Sequence, residues 1–490
     1  MGVIQRQSIK RSLVSYIGVG VGVISTLFIY PLESTLYGRI QFVLSVALLL
    51  SPVFSLGVKS LAVRFYPEFS EQAEHDRGLF RLLLLLTVAI YLIVGGGFYL
   101  SQDWWLDTLH ISRTSKFYLY ADVIWPLALL YSLVDLSTLY TSNYQRITVP
   151  EIFTNLFLKL AVPTLILGYH FQYWTSTVAL YALWLVYAII LLSLLVYLHR
   201  QGQRFRKIEW RFLTPERRKS MLSYALFGVL ASLGTHLAFR LDNIMTTEYL
   251  GETTNGFYNI ALFISNTIAI PYNALIAIVS PFISSYWQKN DLANIQDVYR
   301  RSSVNLLMVG LFLFGLIFLL LDDIISVSTD SAGMETVRNV IIILGVAKVI
   351  DVTAGVNSAI ISFSTAYRFN FVVISILGLL NIGLNLWLIP IFQVMGVALA
   401  TLISLVLFNL IKLVFIYWRF GIHPFTRRLL WAFLLGGGLI FLVNLLPRFT
   451  DWWWNVPVIG GLFTLLLGSA FILSGLLPKP RELWEMLRNR

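Results

Sequence analysis

The chain contains no cysteine. This absence excludes disulfides, thiolate metal ligands and thiol-based catalysis, and it removes redox usage as a guide to the cellular compartment. Charged residues are also scarce, at 12% of the 490 residues, whereas soluble proteins have roughly 25%. Hydrophobic residues make up 57% of the chain, more than a water-soluble core can absorb. The composition therefore predicts an integral membrane protein.

Signatures of catalysis are missing as well. Gly57-Val58-Lys59-Ser60 ends like a phosphate-binding loop but lacks its leading glycine spacing, which argues against ATP hydrolysis. The six histidines are scattered without metal-ligand spacing. No loop predicted to be external exceeds about twenty residues, too short for a folded catalytic domain. We expect no enzyme activity, no metal and no cofactor.

Long apolar runs recur from end to end. A run of about 20 such residues crosses a bilayer as a helix, and the pattern predicts about fourteen of them. The predicted spans are 12–30, 38–60, 81–101, 118–140, 152–170, 177–198, 221–240, 257–282, 304–321, 337–361, 370–388, 396–417, 429–446 and 457–477.

The basic residues set the orientation. The loop 199–220 carries eight Lys and Arg, the densest run of charge in the chain, and basic loops stay on the cytoplasmic side during insertion. With an even number of spans, both termini are then predicted to be cytoplasmic. The same bias accounts for the net charge of +11, so no nucleic-acid partner is needed to explain it.

Weak internal similarity suggests a duplication. RSLVSY at 11–16 is echoed by KSMLSY at 219–224, and Tyr37–Gly38 matches Asn255–Gly256 at an offset of 218. Asp135 and Asp351 pair at an offset of 216. Matches that keep their order at a nearly constant offset indicate a repeat of six spans.

The repeat predicts an all-α integral membrane protein with two pseudo-symmetric six-helix lobes and two C-terminal helices. A parallel duplication relates the lobes by rotation about the membrane normal. The predicted divisions are an N-terminal lobe (1–198), a basic cytoplasmic linker (199–220), a C-terminal lobe (221–420), and spans 13 and 14 with a cytoplasmic tail (421–490).

A family resemblance covers essentially the whole chain. It rests on the fourteen predicted spans and on two stretches, FRLDNIMTTEYLGETTNGFYNIA (239–261) and NIGLNLWLIPIFQVMGVALAT (381–401). The chain resembles the multidrug/oligosaccharidyl-lipid/polysaccharide (MOP) superfamily, and within it the polysaccharide-transporter branch of O-antigen and lipid-linked oligosaccharide flippases (Wzx-like). One departure is Phe392–Gln393, where the family pattern reads Phe-Gly. Span one has no charge between Arg11 and Glu33, which argues against the peptidoglycan precursor as substrate.

The resemblance implies a function. Such proteins move a lipid-linked oligosaccharide, with a polyprenyl-pyrophosphate carrier, across the bacterial inner (plasma) membrane by alternating access. The cargo serves lipopolysaccharide (O-antigen) or capsule biosynthesis. The implied partners are this substrate, the lipid bilayer and other polysaccharide-assembly proteins.

Span ten offers one candidate substrate contact. Lys348 and Asp351 lie three residues apart, so they share a helical face with Gly355 and Ser358. Ionisable groups inside a membrane normally face a partner or a wet cavity. Two interpretations stay open: an ion pair that only joins helices, or a cavity-lining charge that meets an anionic substrate.

Further polar residues lie within other spans. Asn259, Asn266 and Asn273 recur at sevens in span eight and form one slowly drifting stripe, for interhelical hydrogen bonds or for sugar hydroxyls. Lys159, in the middle of span five, is a second candidate anion contact. Lys412 lies near the end of span twelve, and we expect it to extend to the cytoplasmic surface.

Span seven ends in charge. Arg240 lies at its predicted external mouth, where it contacts substrate or pairs with Asp242. Asp135, deep in span four, is expected to partner Lys159 or a bound coupling cation. Asp242 is the other candidate for a coupling cation.

Two rival functions remain. A cation-coupled multidrug or small-molecule exporter on the same fold needs a deep carboxylate without a fixed basic partner, so an isolated Asp135 would favour it. A membrane polysaccharide polymerase or ligase usually needs a large external loop for its active site, and this chain has none.

Overall fold

The structure, a computed structural model, describes residues 17–70, 77–108, 114–144, 148–203 and 206–476. Every regular element in these ranges is a helix. This outcome follows from the apolar runs, because in lipid a segment has to satisfy its own backbone hydrogen bonds. Residues 12–16 of the first predicted span and residue 477 of the last lie outside the described residues.

Fourteen long helices, including their short 3-10 and π turns, follow the predicted spans, and α10 is broken into two parts bent by 44°. Their bounds are α1 Ile17–Ile29, α2 Pro31–Phe54, α3 Leu79–Leu100, α4 Ala121–Tyr144, α5 Val149–His170, α6 Ser176–Arg200, α7 Pro215–Leu250, α8 Glu252–Gln288, α9 Leu292–Leu319, α10a Arg338–Thr353, α10b Asn357–Phe363, α11 Arg368–Phe392, α12 Val394–Phe420, α13 Arg427–Asn444 and α14 Trp452–Leu473.

Eleven of these helices are long and apolar enough to cross a membrane, or twelve if the two parts of α10 form one span. The described part of α1 is shorter, and α7 is not among the eleven. The predicted all-α membrane fold is therefore confirmed. The count of fourteen crossings stays a prediction, although every predicted span coincides with a helix.

The chain forms two compact units, Met1–Gly256 and Phe257–Arg490. The first contains α1 to α7 and the first turn of α8, and the second contains the rest. The predicted division into lobes at the linker 199–220 stays a prediction.

In the first unit, α2 packs against α4 and α7, and α4 packs against α6. After α2 ends at Phe54, the chain turns through Gly57, whose φ is +66°. A Cβ at Gly57 would overlap the backbone of Ala225 in α7, so only glycine permits this close approach. The turn fixes the position of Lys59, which follows on a 3-10 turn.

The basic linker of the first unit is folded where the structure describes it. The ring of Phe212 lies between the guanidinium groups of Arg77 and Arg217, at 4.0 and 3.9 Å. Leu213 is buried in the adjacent apolar core. The hydroxyl of Thr214 accepts from the Arg217 amide and caps the start of α7. These contacts begin α7 at Pro215, earlier than the predicted 221.

In the second unit, α12 packs against α10 and α11, and α13 packs on α9. The break in α10 falls at Gly355, whose φ is +64°. A Cβ there would lie 2.5 Å from the hydroxyl oxygen of Ser303 in α9. The close approach and the left-handed backbone both require glycine. The sequence analysis had taken 337–361 as one continuous span, and the structure divides it here.

Candidate functional site

A group of polar side chains lies within electrostatic range of one another inside the first unit, and we call it the Arg240 cluster. Its members are Lys59, Tyr131, Asp135, Tyr187, His236 and Arg240. Lys59 Nζ donates to Asp135 Oδ2 at 2.7 Å. About a fifth of each of these two side chains is exposed, 21% for both. The pair joins the turn after α2 to α4.

Arg240 and His236 approach this pair from α7, where four residues apart places them on one face. His236 lies within electrostatic range of Lys59, Asp135 and Arg240. Arg240 in turn lies within range of the rings of Tyr131 and Tyr187.

The cluster carries an excess of positive charge. Lys59 and Arg240 are cations, Asp135 is the one carboxylate, and Asp135 is already paired with Lys59. Arg240 forms no ion pair with any residue that the structure describes. An unpaired guanidinium within a membrane-spanning region is costly unless it faces water or an anion. The arrangement is therefore suited to receiving a negatively charged group.

The structure brings together two predicted residues that the sequence analysis kept apart, Arg240 and Asp135. The basic partner of Asp135 is Lys59, not Lys159. Arg240 lies ten residues before the end of α7, not at its mouth, because α7 extends to Leu250. No ion pair joins Arg240 to Asp242, since residues two apart on a helix do not face each other; Asp242 is 8% exposed.

Lys159, the second candidate anion contact, lies apart from this cluster. Its side chain packs along α1, where a Cβ on Gly18 would lie 3.4 Å from Nζ. Among the described residues, Glu151 lies within electrostatic range of it.

A second polar group lies inside the second unit, and we call it the Asp351 network. Its members are Tyr272, Asp351, Asn357, Ser358, Asn409 and Lys412. Asn409 Nδ2 donates to Asp351 Oδ1 at 2.9 Å, and Asn357 Nδ2 donates to Asn409 Oδ1 at 2.9 Å. The chain of hydrogen bonds runs from α10a through α12 to α10b.

Lys412 closes the network at its other end. Nζ donates to Ser358 Oγ at 2.8 Å and lies 3.7 Å from the centre of the Phe408 ring. The residue is 1% exposed, so the expectation that Lys412 reaches the cytoplasmic surface is wrong. The reason is depth: α12 continues to Phe420, about 12 Å further at 1.5 Å per residue. The break in α10 supplies a nearer polar partner.

The predicted Lys348–Asp351 ion pair is not formed. Lys348 is partly exposed and makes no ion pair with any described residue, whereas Asp351 lies within electrostatic range of Lys412. The asparagine stripe of α8 is divided: Asn259 is buried, and Asn266 and Asn273 are exposed. A 3-10 turn at Thr267–Ala269 separates the last two and changes the helical period.

Sequence reasoning missed several members of both groups. Lys59 was considered only as part of a failed phosphate loop, and Asn409 was not considered. One signal was available: Asn409 and Lys412 are three residues apart on α12, as Lys348 and Asp351 are on α10a. Among the described residues, no group of three or more His, Cys, Asp or Glu could hold a metal.

Comparison with known proteins identifies the fold. No protein-family model and no curated protein matches the sequence. Solved structures do match. The MurJ lipid II flippase in an inward closed conformation has a TM-score of 0.73 at 15% identity, over 96% of this chain and 99% of that chain. An inward-facing multidrug resistance MATE transporter of the MOP superfamily has a TM-score of 0.67 at 13% identity, over 84% and 98%.

A third match is a MOP superfamily transporter from Pyrococcus furiosus, whose reported binding pocket has reversed polarity. Its TM-score is 0.52 at 14% identity, over 90% of this chain and 96% of that chain. The chain thus has the fold of the MOP transporters, as its sequence resemblance predicted. Among the structures named here, the lipid II flippase superposes with the highest TM-score.

Proposed function

We propose that the protein is a flippase that moves a lipid-linked oligosaccharide from the inner to the outer leaflet of the bacterial inner membrane. The cargo is a polyprenyl-pyrophosphate-linked glycan for lipopolysaccharide, O-antigen or capsule biosynthesis. Two lobes alternate access to the two faces, and both termini are cytoplasmic. The observation that carries the proposal is Arg240, a cation of α7 that forms no ion pair with any residue that the structure describes.

The chemistry of the Arg240 cluster suits a pyrophosphate. A guanidinium presents a planar fork of donors that matches phosphate oxygens in pairs. Tyr131 and Tyr187 add phenol groups beside it. The Lys59 ammonium is a second cation in the cluster, and the carboxylate of Asp135 neutralises its charge.

The other predicted residues enter the proposal as secondary contacts. Lys159 and Lys348 supply further cations, and neither forms an ion pair with a residue that the structure describes. Asn266 and Asn273, exposed on α8, are available for sugar hydroxyls, whereas the buried Asn259 is better placed for helix packing. Asp351 is the candidate for a structural or coupling role, because its carboxylate already accepts from Asn409.

A cation-coupled exporter of small molecules is the second candidate function. The fold similarity to the multidrug MATE transporter and the two membrane carboxylates, Asp135 and Asp351, favour it. One observation argues against this function. A cation-coupled exporter needs a deep carboxylate without a fixed basic partner, whereas Asp135 accepts a hydrogen bond from Lys59 at 2.7 Å.

Reconstitution separates the two functions. Proteoliposomes would contain a fluorescent polyprenyl-pyrophosphate disaccharide, and dithionite added outside would report how much of it reaches the outer leaflet. Parallel vesicles loaded with ethidium, with a proton or sodium gradient, would report small-molecule export. We expect the protein to flip the lipid-linked sugar, and we expect the Arg240→Gln change to lower the flipping rate about 100-fold. Gradient-driven ethidium export without lipid flipping would overturn the proposal.

A further inference from the structure

The turn between α7 and α8 is tied to the ends of α2 and α4 that are predicted to be external. The turn passes through Gly251, whose φ is +93°. A set of polar contacts surrounds it, which we call the latch. Its residues are Thr35, Arg39, Ser115, Lys116, Tyr120, Glu248, Glu252 and Thr253. All of them belong to the first unit.

Glu252, the first residue of α8, is the centre of the latch. Arg39 Nε donates to its carboxylate at 2.5 Å, and Lys116 Nζ lies 3.3 Å from the other oxygen. The Tyr120 hydroxyl donates to that same oxygen. The Glu252 side chain is only 6% exposed. One carboxylate thus holds groups from α2 and from the segment that leads into α4.

Glu248, one turn earlier on α7, holds the same segment by its backbone. Its carboxylate accepts from Ser115 Oγ at 2.9 Å and from the amides of Lys116 and Phe117 at 3.1 and 2.9 Å. Charge-assisted hydrogen bonds of this kind are stronger than neutral ones. Together the two glutamates bind the turn at two points.

The backbones of α2 and α8 also meet beside the latch. The hydroxyls of Thr35 and Thr253 are 2.8 Å apart, and Asn255 Nδ2 donates to the Gly38 carbonyl at 2.9 Å. A Cβ on Gly38 would lie 2.7 Å from the Gly256 amide nitrogen. Neither helix leaves space for a side chain here, so the two backbones are in close contact.

We propose that this latch opens and closes once in each transport cycle. Because α8 continues past Gly256, any movement of α8 relative to α2 has to break these contacts. They are hydrogen bonds and ion pairs, and water can replace each partner once the helices separate. The inference depends on the proposed function in one respect only, namely that lipid flipping is the activity measured in its first test.

The cysteine-free chain allows a direct test. Cysteines replacing Thr35 and Thr253 would lie close enough for a disulfide, given the 2.8 Å between the present hydroxyls. We expect oxidation to lower lipid flipping by about tenfold or more, and dithiothreitol to restore it, because a gating movement sets the rate. Full flipping by the oxidised protein, with the crosslink confirmed by mass spectrometry, would overturn the latch.

Ser51 and Ser132 supply the matched control. Their hydroxyls are 2.9 Å apart and join α2 to α4 within the same unit, away from the α7–α8 turn. The oxidised Ser51→Cys, Ser132→Cys protein should flip lipid at the rate of its reduced form. Equal loss from both crosslinks would show general rigidification and contradict a specific latch.

A second readout needs no substrate. Ser34→Cys, at a position that is 8% exposed and whose backbone lies against Gly256, should react slowly with an impermeant maleimide, and adding Glu252→Gln should raise the labelling rate several-fold by weakening the latch. An unchanged rate would refute the electrostatic part of the latch. If the reduced double-cysteine protein flips no lipid while labelling still responds to Glu252→Gln, the latch stands and the proposed substrate is wrong.

Discussion

The two units contain the same pair of charges in different surroundings. In the first, Lys59 and Asp135 are in direct contact at 2.7 Å, and 21% of each side chain is exposed. In the second, Lys412 is 1% exposed, and only amides and hydroxyls connect it to Asp351. Arg240 adds an unpaired cation to the first group alone.

The difference bears on the predicted duplication. Asp135 and Asp351 occupy matching positions of the proposed repeat, but neither lysine has a basic counterpart at offsets of 216 to 221. On the proposed duplication, each carboxylate would have acquired its cation independently. The accessible, positively charged group is suited to binding an anion, and the closed, hydrogen-bonded group is suited to holding α10 and α12 together.

The largest expected effect concerns Arg240. Arg240→Gln should lower flipping of the lipid-linked sugar by about 100-fold, equivalent to about 3 kcal/mol, because a charge-assisted contact to pyrophosphate is lost. Arg240→Lys should retain part of the activity, since the charge remains without the fork. The flipping assay in proteoliposomes measures both.

Arg301→Gln is the control for Arg240, because Arg301 is an exposed arginine paired with Asp297 on α9. It should flip at the wild-type rate. Normal activity in Arg240→Gln would remove the functional distinction between the two units.

The next effect is on the stability of the second unit. Asp351→Asn leaves Lys412 buried without a carboxylate and should lower the free energy of unfolding by about 3 kcal/mol. Adding Lys412→Met should recover most of this loss, because the buried charge is gone. Unfolding in SDS-containing mixed micelles provides the measurement. If the Asp351→Asn protein were as stable as wild type, the charge of Asp351 would not contribute to the stability of the network.

A smaller effect is expected for the corresponding pair of the first unit. Asp135→Asn should cost about 1 kcal/mol, since a partly exposed pair is screened by solvent. The same unfolding assay applies. A loss equal to that of Asp351→Asn would mean that partial exposure does not distinguish the two groups.

The smallest effect concerns an exposed ion pair of the second unit, between the short helix Ser331–Thr336 and the start of α10a. Arg338 donates to Glu335 at 2.5 and 2.8 Å and holds the pKa of that carboxyl below its ordinary value of 4.5. Because the folded-state pKa is depressed, the stabilisation is present above 4.5 and is lost as pH falls through the folded value.

The Glu335 contribution can be isolated by mutation. Thermal unfolding of wild type and Glu335→Gln should therefore differ slightly at pH 7 and converge as the pH falls below 4.5 and through the depressed folded-state pKa. A difference that persists at low pH would assign it to packing.

Much of the helical plan could be predicted from the sequence, because lipid leaves an apolar run of this length few alternatives to a helix. The ends of the helices are set by capping residues, prolines and glycines, not by the apolar runs. Thr214 and Pro215 mark the true start of α7, and Gly251 marks its end. The break at Gly355 could not be read, because an isolated glycine in an apolar run is tolerated in a continuous helix.

The site was harder to predict, because pairing is decided by tertiary contacts. Asp135 and Arg240 were recognised from their chemical character alone. Their meeting with Lys59 depends on a left-handed turn at Gly57 that packs on α7. For Lys412, sequence position suggested the surface, and only the folded α10 shows a nearer hydrogen-bond partner.

The contact between α2 and α8 has an evolutionary consequence. Thr35 meets Thr253, and Gly38 meets Gly256, so each residue touches its own counterpart 218 positions later. Two copies of one shorter chain make such self-matching contacts across a two-fold axis. If the proposed duplication is correct, the ancestor was a homodimer. Any mutation of the glycine that became Gly38 and Gly256 would then have changed both sides of the interface at once. Gene fusion released that constraint, and each side could then change alone.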